Sequence, residues 1–171
     1  MSVNGTVRDL FLSLDNYPSV RDTASIRDVF ARLKEVYTTA EQFRSVLVLD
    51  GQGRLVGMLG LRDMLHSLLP DYLKRAPVHY QGPTDDISAL ALIWQEDCVA
   101  QIRQAAVTGK AGDYVTPVPA SVRLDDPLTR GILMMAKTAA NILPVVEGDR
   151  VIGVLRLVDV LAEVTKEVLH G

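Results

Sequence analysis

Cysteine occurs once in these 171 residues, at Cys98, which rules out an internal disulfide and a multi-cysteine metal site. A reducing, cytoplasmic setting is the simplest expectation. The three histidines, His66, His79 and His170, are scattered without metal-ligand spacing and receive no role. Aromatic residues are only 5% of the chain while 48% is apolar, so aliphatic side chains must dominate the core. No apolar run approaches the ~20 residues a membrane helix needs. The opening Met1-Ser2-Val3-Asn4-Gly5 lacks the charged-then-apolar order of a signal peptide. Lys and Arg number 18 against 21 Asp and Glu, a net charge of −3 that gives no reason to expect a nucleic-acid partner. No nucleophile–base set, phosphate-binding loop or paired-carboxylate site stands out, so an enzyme is not expected.

What the chain does have is a repeat. Ser19-Val20-Arg21 returns as Ser121-Val122-Arg123, and Arg54-Leu55-Val56-Gly57-Met58-Leu59-Gly60-Leu61-Arg62-Asp63-Met64-Leu65 returns as Arg150-Val151-Ile152-Gly153-Val154-Leu155-Arg156-Leu157-Val158-Asp159-Val160-Leu161. The spacing shortens from 102 at the start of the copies to 96 at their end, placing extra residues of the first copy between Leu33 and Ser45. Two similar units about a pseudo-twofold axis are implied, with paired sites rather than one catalytic centre.

Each copy reads strand, helix, strand, strand, helix. In the first, Ser19-Val20-Arg21 is a strand. Ile26, Val29, Phe30, Leu33, Val36 and Tyr37 recur at helical spacing, with Ser25 or Thr23 as N-cap. Ser45 to Leu49 and Arg54 to Leu59 form a hairpin around Asp50-Gly51-Gln52-Gly53, and a helix runs from Leu61 to Leu69. In the second, Val122 lies in the opening strand and Pro127 in the first helical turn. Leu128, Ile132, Met135 and Ala136 form that helix's inner face. Ile142 to Val146 and Val151 to Leu155 make the hairpin. The closing helix, Val158 to Val168, buries Val160, Leu161, Val164 and Val168. Between the copies, Ala76 to Pro83 is turn-rich. Asp85-Asp86 caps an amphipathic helix to about Ala106, with Ile87, Leu90, Ala91, Trp94, Cys98 and Ile102 on one stripe. Trp94 reads as an anchor, Cys98 as a small buried hydrophobe, and Met134-Met135 as helix core. The division is 1–75 for the first repeat, 76–108 for the connector and 109–171 for the second repeat.

With Gly112-Asp113-Tyr114-Val115-Thr116-Pro117-Val118-Pro119 leading into the second copy, and Leu143-Pro144-Val145-Val146 in its hairpin, the pattern resembles a tandem CBS (cystathionine-β-synthase-type) domain pair, or Bateman module. The resemblance implies an α+β fold of two βαββα repeats packed about a pseudo-twofold axis, here with an extra connector helix. It also implies a homodimer and clefts that sense adenine nucleotides or related ligands on behalf of a regulated partner. AMP, ADP, ATP and S-adenosylmethionine are the ligand candidates, none of them an obligatory cofactor; from the charge and the short apolar runs, neither a membrane nor a nucleic acid is expected as a partner. The expectation is a stand-alone sensor; the alternative is a structural interaction module whose ligand sites have decayed.

The family's ligand signature places Gly first, a Thr or Ser where a helix begins, and Asp three positions later. A helix start favours phosphate, and the Asp can accept hydrogen bonds from both ribose hydroxyls. Here Gly57 and Asp63 match but Gly60 replaces the hydroxyl residue; Gly153 and Asp159 match but Arg156 replaces it. Gly60 weakens a phosphate site without blocking it, whereas Arg156 can grip a phosphate bidentately or fill the cleft. Pro144 follows the family's hairpin while Leu47 replaces that proline in the first copy, so the second cleft, with Asp159, Arg156, Gly153, Pro144 and Val122, is expected to be the closer match. The first would use Asp63, Gly60, Gly57 and Val20. The plain alternative is that Asp63 and Asp159 only cap their own helices, that Arg156 is salt-bridged, and that the two glycines serve close packing.

Overall fold

The structure, a computed structural model, describes residues 5–37, 44–69, 74 and 96–170. Along the chain come β1 (Leu12–Ser13), β2 (Ser19–Arg21), α1 (Ile26–Tyr37), β3 (Ser45–Leu49), β4 (Leu55–Gly60), α2 (Leu61–Leu68), α3 (Glu96–Thr108), α4 (Leu128–Thr138), β5 (Ile142–Glu147), β6 (Arg150–Arg156) and α5 (Leu157–His170). Single 3-10 turns cover Val7–Asp9, Leu14–Asn16 and Ala111–Asp113. The strands form two three-stranded sheets, β2-β3-β4 and β1-β6-β5. The fold is α+β, as the repeat implies.

In the first repeat β2 pairs parallel with β3, with α1 as the crossover, and β3 turns back antiparallel into β4. Ser25 caps α1: its Oγ accepts from the Asp28 N–H at 3.1 Å, and Asp28 accepts in return from the Ser25 N–H at 3.1 Å. At the hairpin, Asp50 accepts from the backbone N–H groups of Gln52 and Arg54 and from the Arg54 side chain. Those Arg54 bonds, the backbone one first, hold the Asp50 carboxyl below the usual carboxylate range. Gly53 closes the turn at φ +80°, where a side chain would be strained.

The second repeat departs from the first in physically readable ways. Its opening strand shrinks to one parallel bridge, Val122 to Val145. In the first repeat the Leu47 N–H donates to Pro18 O at 3.0 Å; Pro144 at the matching place has no N–H to give. Pro127 is the N-cap of α4 rather than part of its first turn. The inner face of α4 is Leu128, Gly131 and Met135, with Ile132 partly covered, whereas Ala136 is exposed. On α5, Val160 is buried and Val164 partly so, but Leu161 and Val168 face solvent. Position 163, one turn beyond Val160, takes the inward place instead: Glu163 is 3% exposed and accepts from Lys166 at 2.9 Å.

Of the connector, α3 packs on α1 and α2 of the first repeat. Its stripe residues Ile87, Leu90, Ala91 and Trp94, and the capping Asp85-Asp86, lie outside the described residues, as does the Cys98 side chain. Gly109 ends α3 by donating to Ala105 O at 2.9 Å, and its own carbonyl receives the Ile26 N–H.

The repeats exchange their leading segments. Residues 5–13 cross to the second repeat: the Leu128 N–H donates to Gly5 O, the Val7 N–H to Asp126 O and the Arg8 N–H to Leu124 O, while Arg8 pairs with Asp125 at 2.7 Å. β1 then adds to the edge of β6, Leu12 opposite Val154 and Ser13 opposite Gly153. Val7, fully buried, belongs to the second repeat's core, with Val122, Leu128, Leu143, Val145 and Leu155 among others. In return, residues 109–116 lie on the first repeat. The Ala111 N–H donates to Ala24 O, the Gly112 N–H to Asp22 O, and Thr116 exchanges both backbone hydrogen bonds with Met58. Ala111 is buried in that repeat's core, beside Val29, Leu33, Val46 and Leu59. A third cluster, Tyr17, Leu47, Val151 and Val154, joins the two sheets. Burying each such aliphatic side chain contributes roughly 1.5–3 kcal/mol.

Candidate functional site

Gly57 and Gly153 occupy equivalent places on β4 and β6, each under the segment arriving from the other repeat. A Cβ on Gly57 would come within 2.7 Å of Val115 Cβ and 2.9 Å of Thr116 O. One on Gly153 would collide with Leu12 O and the Phe11 ring. Close packing is thus the first role of both glycines, and it brings a crossing strand next to the start of the following helix.

At the first cleft the crossing strand delivers Thr116 to Asp63. Asp63 is the third residue of α2; its Oδ2 accepts from the Gly60 N–H at 2.8 Å and its Oδ1 from the Thr116 hydroxyl at 3.2 Å. Gly60, the N-cap, has no side chain over the helix start, and Thr116 is exposed. The carboxylate therefore caps its helix and also faces a hydroxyl from the opposite repeat. Thr116 was not among the residues expected from sequence. The structure matches the two crossing segments, Thr116 opposing Met58 as Leu12 opposes Val154, a correspondence the sequence repeat does not align.

At the second cleft the side chains satisfy one another. Arg156 forks Asp159, Nε to Oδ2 at 2.6 Å and Nη2 to Oδ1 at 2.9 Å. The two side chains are 20% and 28% exposed. Beside them stands Tyr17, absent from the sequence expectations, 1% exposed and packed with Val154 and Ile142. Its hydroxyl shares a 2.8 Å hydrogen bond with Ser45, itself buried. Burial pushes the Tyr17 phenol up to about 12, with the Ser45 hydrogen bond and the Arg156 charge pulling it back. The folded value lies above the ordinary 10.0, so the stability tied to the neutral phenol is fully present below pH 10 and lost as pH rises through about 12. Ultraviolet titration should show one tyrosine ionising only with alkaline unfolding, and Tyr17→Phe should remove that step.

The other expected residues serve the scaffold. Val122 is 1% exposed within the second repeat's core, and Val20 is half-buried against the first. Pro144 sits opposite Val154 and accepts from the Val122 N–H at 3.0 Å. Two concave surfaces of about 470 Å³ each are lined by neither Asp63 nor Asp159. One is an apolar groove of Phe30, Leu33, Lys34, Leu61, Met64 and Leu65; the other is a polar recess that includes Arg123, Asp126 and Arg130. Among the described residues no cluster of three or more His, Cys, Asp or Glu is placed to hold a metal ion. No helix among them is long and apolar enough to cross a membrane.

A family model described as CBS domain matches the chain twice, over residues 7–70 and 111–166. No curated protein matches it in sequence. Solved structures do match in fold. CBSX2 in complex with AMP is 22% identical with a TM-score of 0.63, over 95% of this chain and 98% of that one. A CBS domain-containing protein of unknown function from Kribbella flavida is 17% identical with a TM-score of 0.71, over 94% and 99%. The cytosolic domain of the Mg2+ channel MgtE in complex with ATP is 23% identical with a TM-score of 0.59, over 90% of this chain and 46% of that one.

Proposed function

The chain belongs to the CBS domain family, and from that premise we propose that it is a regulatory module that binds an adenosine-containing small molecule at the Asp63 cleft and signals to a partner protein by a conformational shift. The observation that carries this reading is the meeting of Asp63 with Thr116 across the two repeats. A ligand held there touches both repeats, so binding is coupled to how they pack, which is the differential contact a population shift requires. The ribose hydroxyls donate to the Asp63 carboxylate. The phosphate meets the first-turn N–H groups of α2 above Gly60, where the helix dipole favours an anion, with Arg62 exposed in that turn. Structures of the same fold in complex with AMP and ATP support the ligand class. Calorimetry against AMP, ADP, ATP and S-adenosylmethionine tests it. Heat saturating with one of them is the expected result, and silence with all of them would sink it.

A second reading, a structural interaction module with decayed sites, is favoured by the Arg156–Asp159 fork. It is the reading left standing if calorimetry is silent.

The module is further proposed to act as a homodimer. Leu65 on α2 and Leu161 on α5 are equivalent in the repeat, and they are 64% and 52% exposed. Phe30 and Leu61 adjoin the first, Val158 the second, giving the pair two apolar helix faces of matching placement. Light scattering should report twice the chain mass, and Leu65→Glu with Leu161→Glu should return the monomer. A monomeric wild type would remove this proposal.

A further inference from the structure

We infer that the module is one-sided by construction: the Asp159 cleft carries its own occupant, made of Tyr17 and Arg156, and only the Asp63 cleft is open to a nucleotide. This deepens the proposed function and rests on its reading of the Asp63 cleft. It is carried by a position-by-position comparison of the two clefts that the repeat makes possible.

Three places around each carboxylate correspond. Where the helix begins, the first cleft has Gly60 and the second Arg156. On the crossing strand, opposite Met58 in one repeat and Val154 in the other, the first cleft has Thr116 and the second Leu12. Two residues before the repeated Ser-Val-Arg, the first has Pro119 and the second Tyr17. At every one of the three the second cleft holds the larger side chain.

The enlarged side chains are also satisfied where they sit. Arg156 spends two of its donors on the two oxygens of Asp159, at 2.6 and 2.9 Å, the same oxygens a ribose diol would use. Tyr17 lays its ring into the cluster that joins the sheets and closes its one polar atom onto Ser45 at 2.8 Å. The guanidinium thus takes the diol's place on the carboxylate, and the Tyr17 ring adds apolar bulk beside it. On the segment that crosses to the first cleft, by contrast, Thr116 and, three residues on, Pro119 are exposed. A guest at the Asp159 cleft must displace both an ion pair and a buried aromatic side chain, so that cleft serves as a fixed joint while the Asp63 cleft responds.

Equilibrium dialysis with radiolabelled AMP and, separately, ATP decides the matter by counting sites. The variant Tyr17→Ala with Arg156→Ser is expected to bind one more equivalent per chain than the wild type. Tyr17→Val with Arg156→Ser, which keeps an apolar contact on Val154, provides a second variant if the first packs too poorly to fold. In the opened variant Asp159→Ala should remove the added equivalent; in the wild type it should change nothing. An equal count in wild type and opened variants overturns the inference, as does a loss of wild-type binding on Asp159→Ala. The count in the wild type judges the other reading separately. One equivalent agrees with a nucleotide at Asp63, whereas none refutes that function even if the opened variant gains its site.

Discussion

Gly153→Ala is expected to lower the stability of this protein by about 3 kcal/mol, toward the upper end of the usual cost of overpacking. The added methyl would collide with Leu12 O and with the edge of the Phe11 ring. The first of these is backbone, so no rotamer change relieves it. The clash can be escaped only by lifting β1 off β6, which also loosens Val7 from the core of the second repeat. In a chain of this length 3 kcal/mol corresponds to roughly 6–12 °C in the melting midpoint, readable by thermal denaturation. Gly148→Ala is the control. Gly148 has φ +61° but nothing within 4 Å of its would-be Cβ, so only left-handed backbone strain of about 1 kcal/mol is charged there. If Gly153→Ala melts no earlier than Gly148→Ala, the account of the crossing strand is wrong. Gly57→Ala belongs between the two. Its contacts, Val115 Cβ at 2.7 Å and Thr116 O at 2.9 Å, are both held by the backbone but are longer than those at Gly153, so a smaller shift relieves them.

Asp63→Ala is expected to weaken binding of the adenine nucleotide by about 10- to 100-fold. Hydrogen bonds to a charged acceptor contribute about 1.5–3 kcal/mol, and each 1.4 kcal/mol is tenfold in affinity. The substitution also removes the cap on the Gly60 N–H, which costs about 1 kcal/mol of stability, so the two effects need separating. Asp63→Asn does that. It keeps an oxygen for the Gly60 N–H and should melt close to the wild type, yet it loses the charge that favours the diol. Thr116→Val should have a smaller effect, within tenfold, because it removes only the hydroxyl that meets Asp63 at 3.2 Å. Nucleotide affinity unmoved by Asp63→Asn would take Asp63 out of the site. The corresponding change at Asp159 should appear in melting rather than binding. Asp159→Ala leaves Arg156 part-buried without its carboxylate, a loss of roughly 1–2 kcal/mol for a pair that water still reaches.

The repeat made the architecture legible, because its apolar spacing and turn residues act locally. Ser25 before α1, Gly53 in the hairpin and the alternation along β3 and β4 each announce a local structure. Faces of helices were less legible where both sides are apolar. On α5, Val160, Leu161, Val164 and Val168 all fit an inward stripe, and only packing against the sheet puts Val160 inside and Leu161 outside. On α4 a glycine took an inner place that Ala136 was expected to share, because Gly131 lets the helix close onto Leu155. At the clefts Asp63, Gly60, Arg156 and Asp159 were visible through the resemblance to the family's ligand signature, which the repeat presents twice. Thr116 and Tyr17 were not, since Thr116 reaches Asp63, and Tyr17 comes within the field of Arg156, from the other repeat, and periodicity within one repeat carries no trace of such a meeting.

The exchanged leading segments set a timetable for synthesis. Residues 5–13 are made more than a hundred residues before the groups that receive them, Leu124, Asp126, Leu128 and the strand Arg150–Arg156. Residues 109–116, which finish the first repeat, also come well after β4. A nascent chain therefore holds its first repeat incomplete until residues 109–116 have emerged, and β1 waits for Arg150–Arg156, during which Val7, Phe11 and the edge of β1 remain uncovered. Contacts of such long sequence separation slow folding, and domains that ordinarily fold one after another during translation here become mutual dependents. Neither half, expressed by itself, would contain the pieces that close its own core.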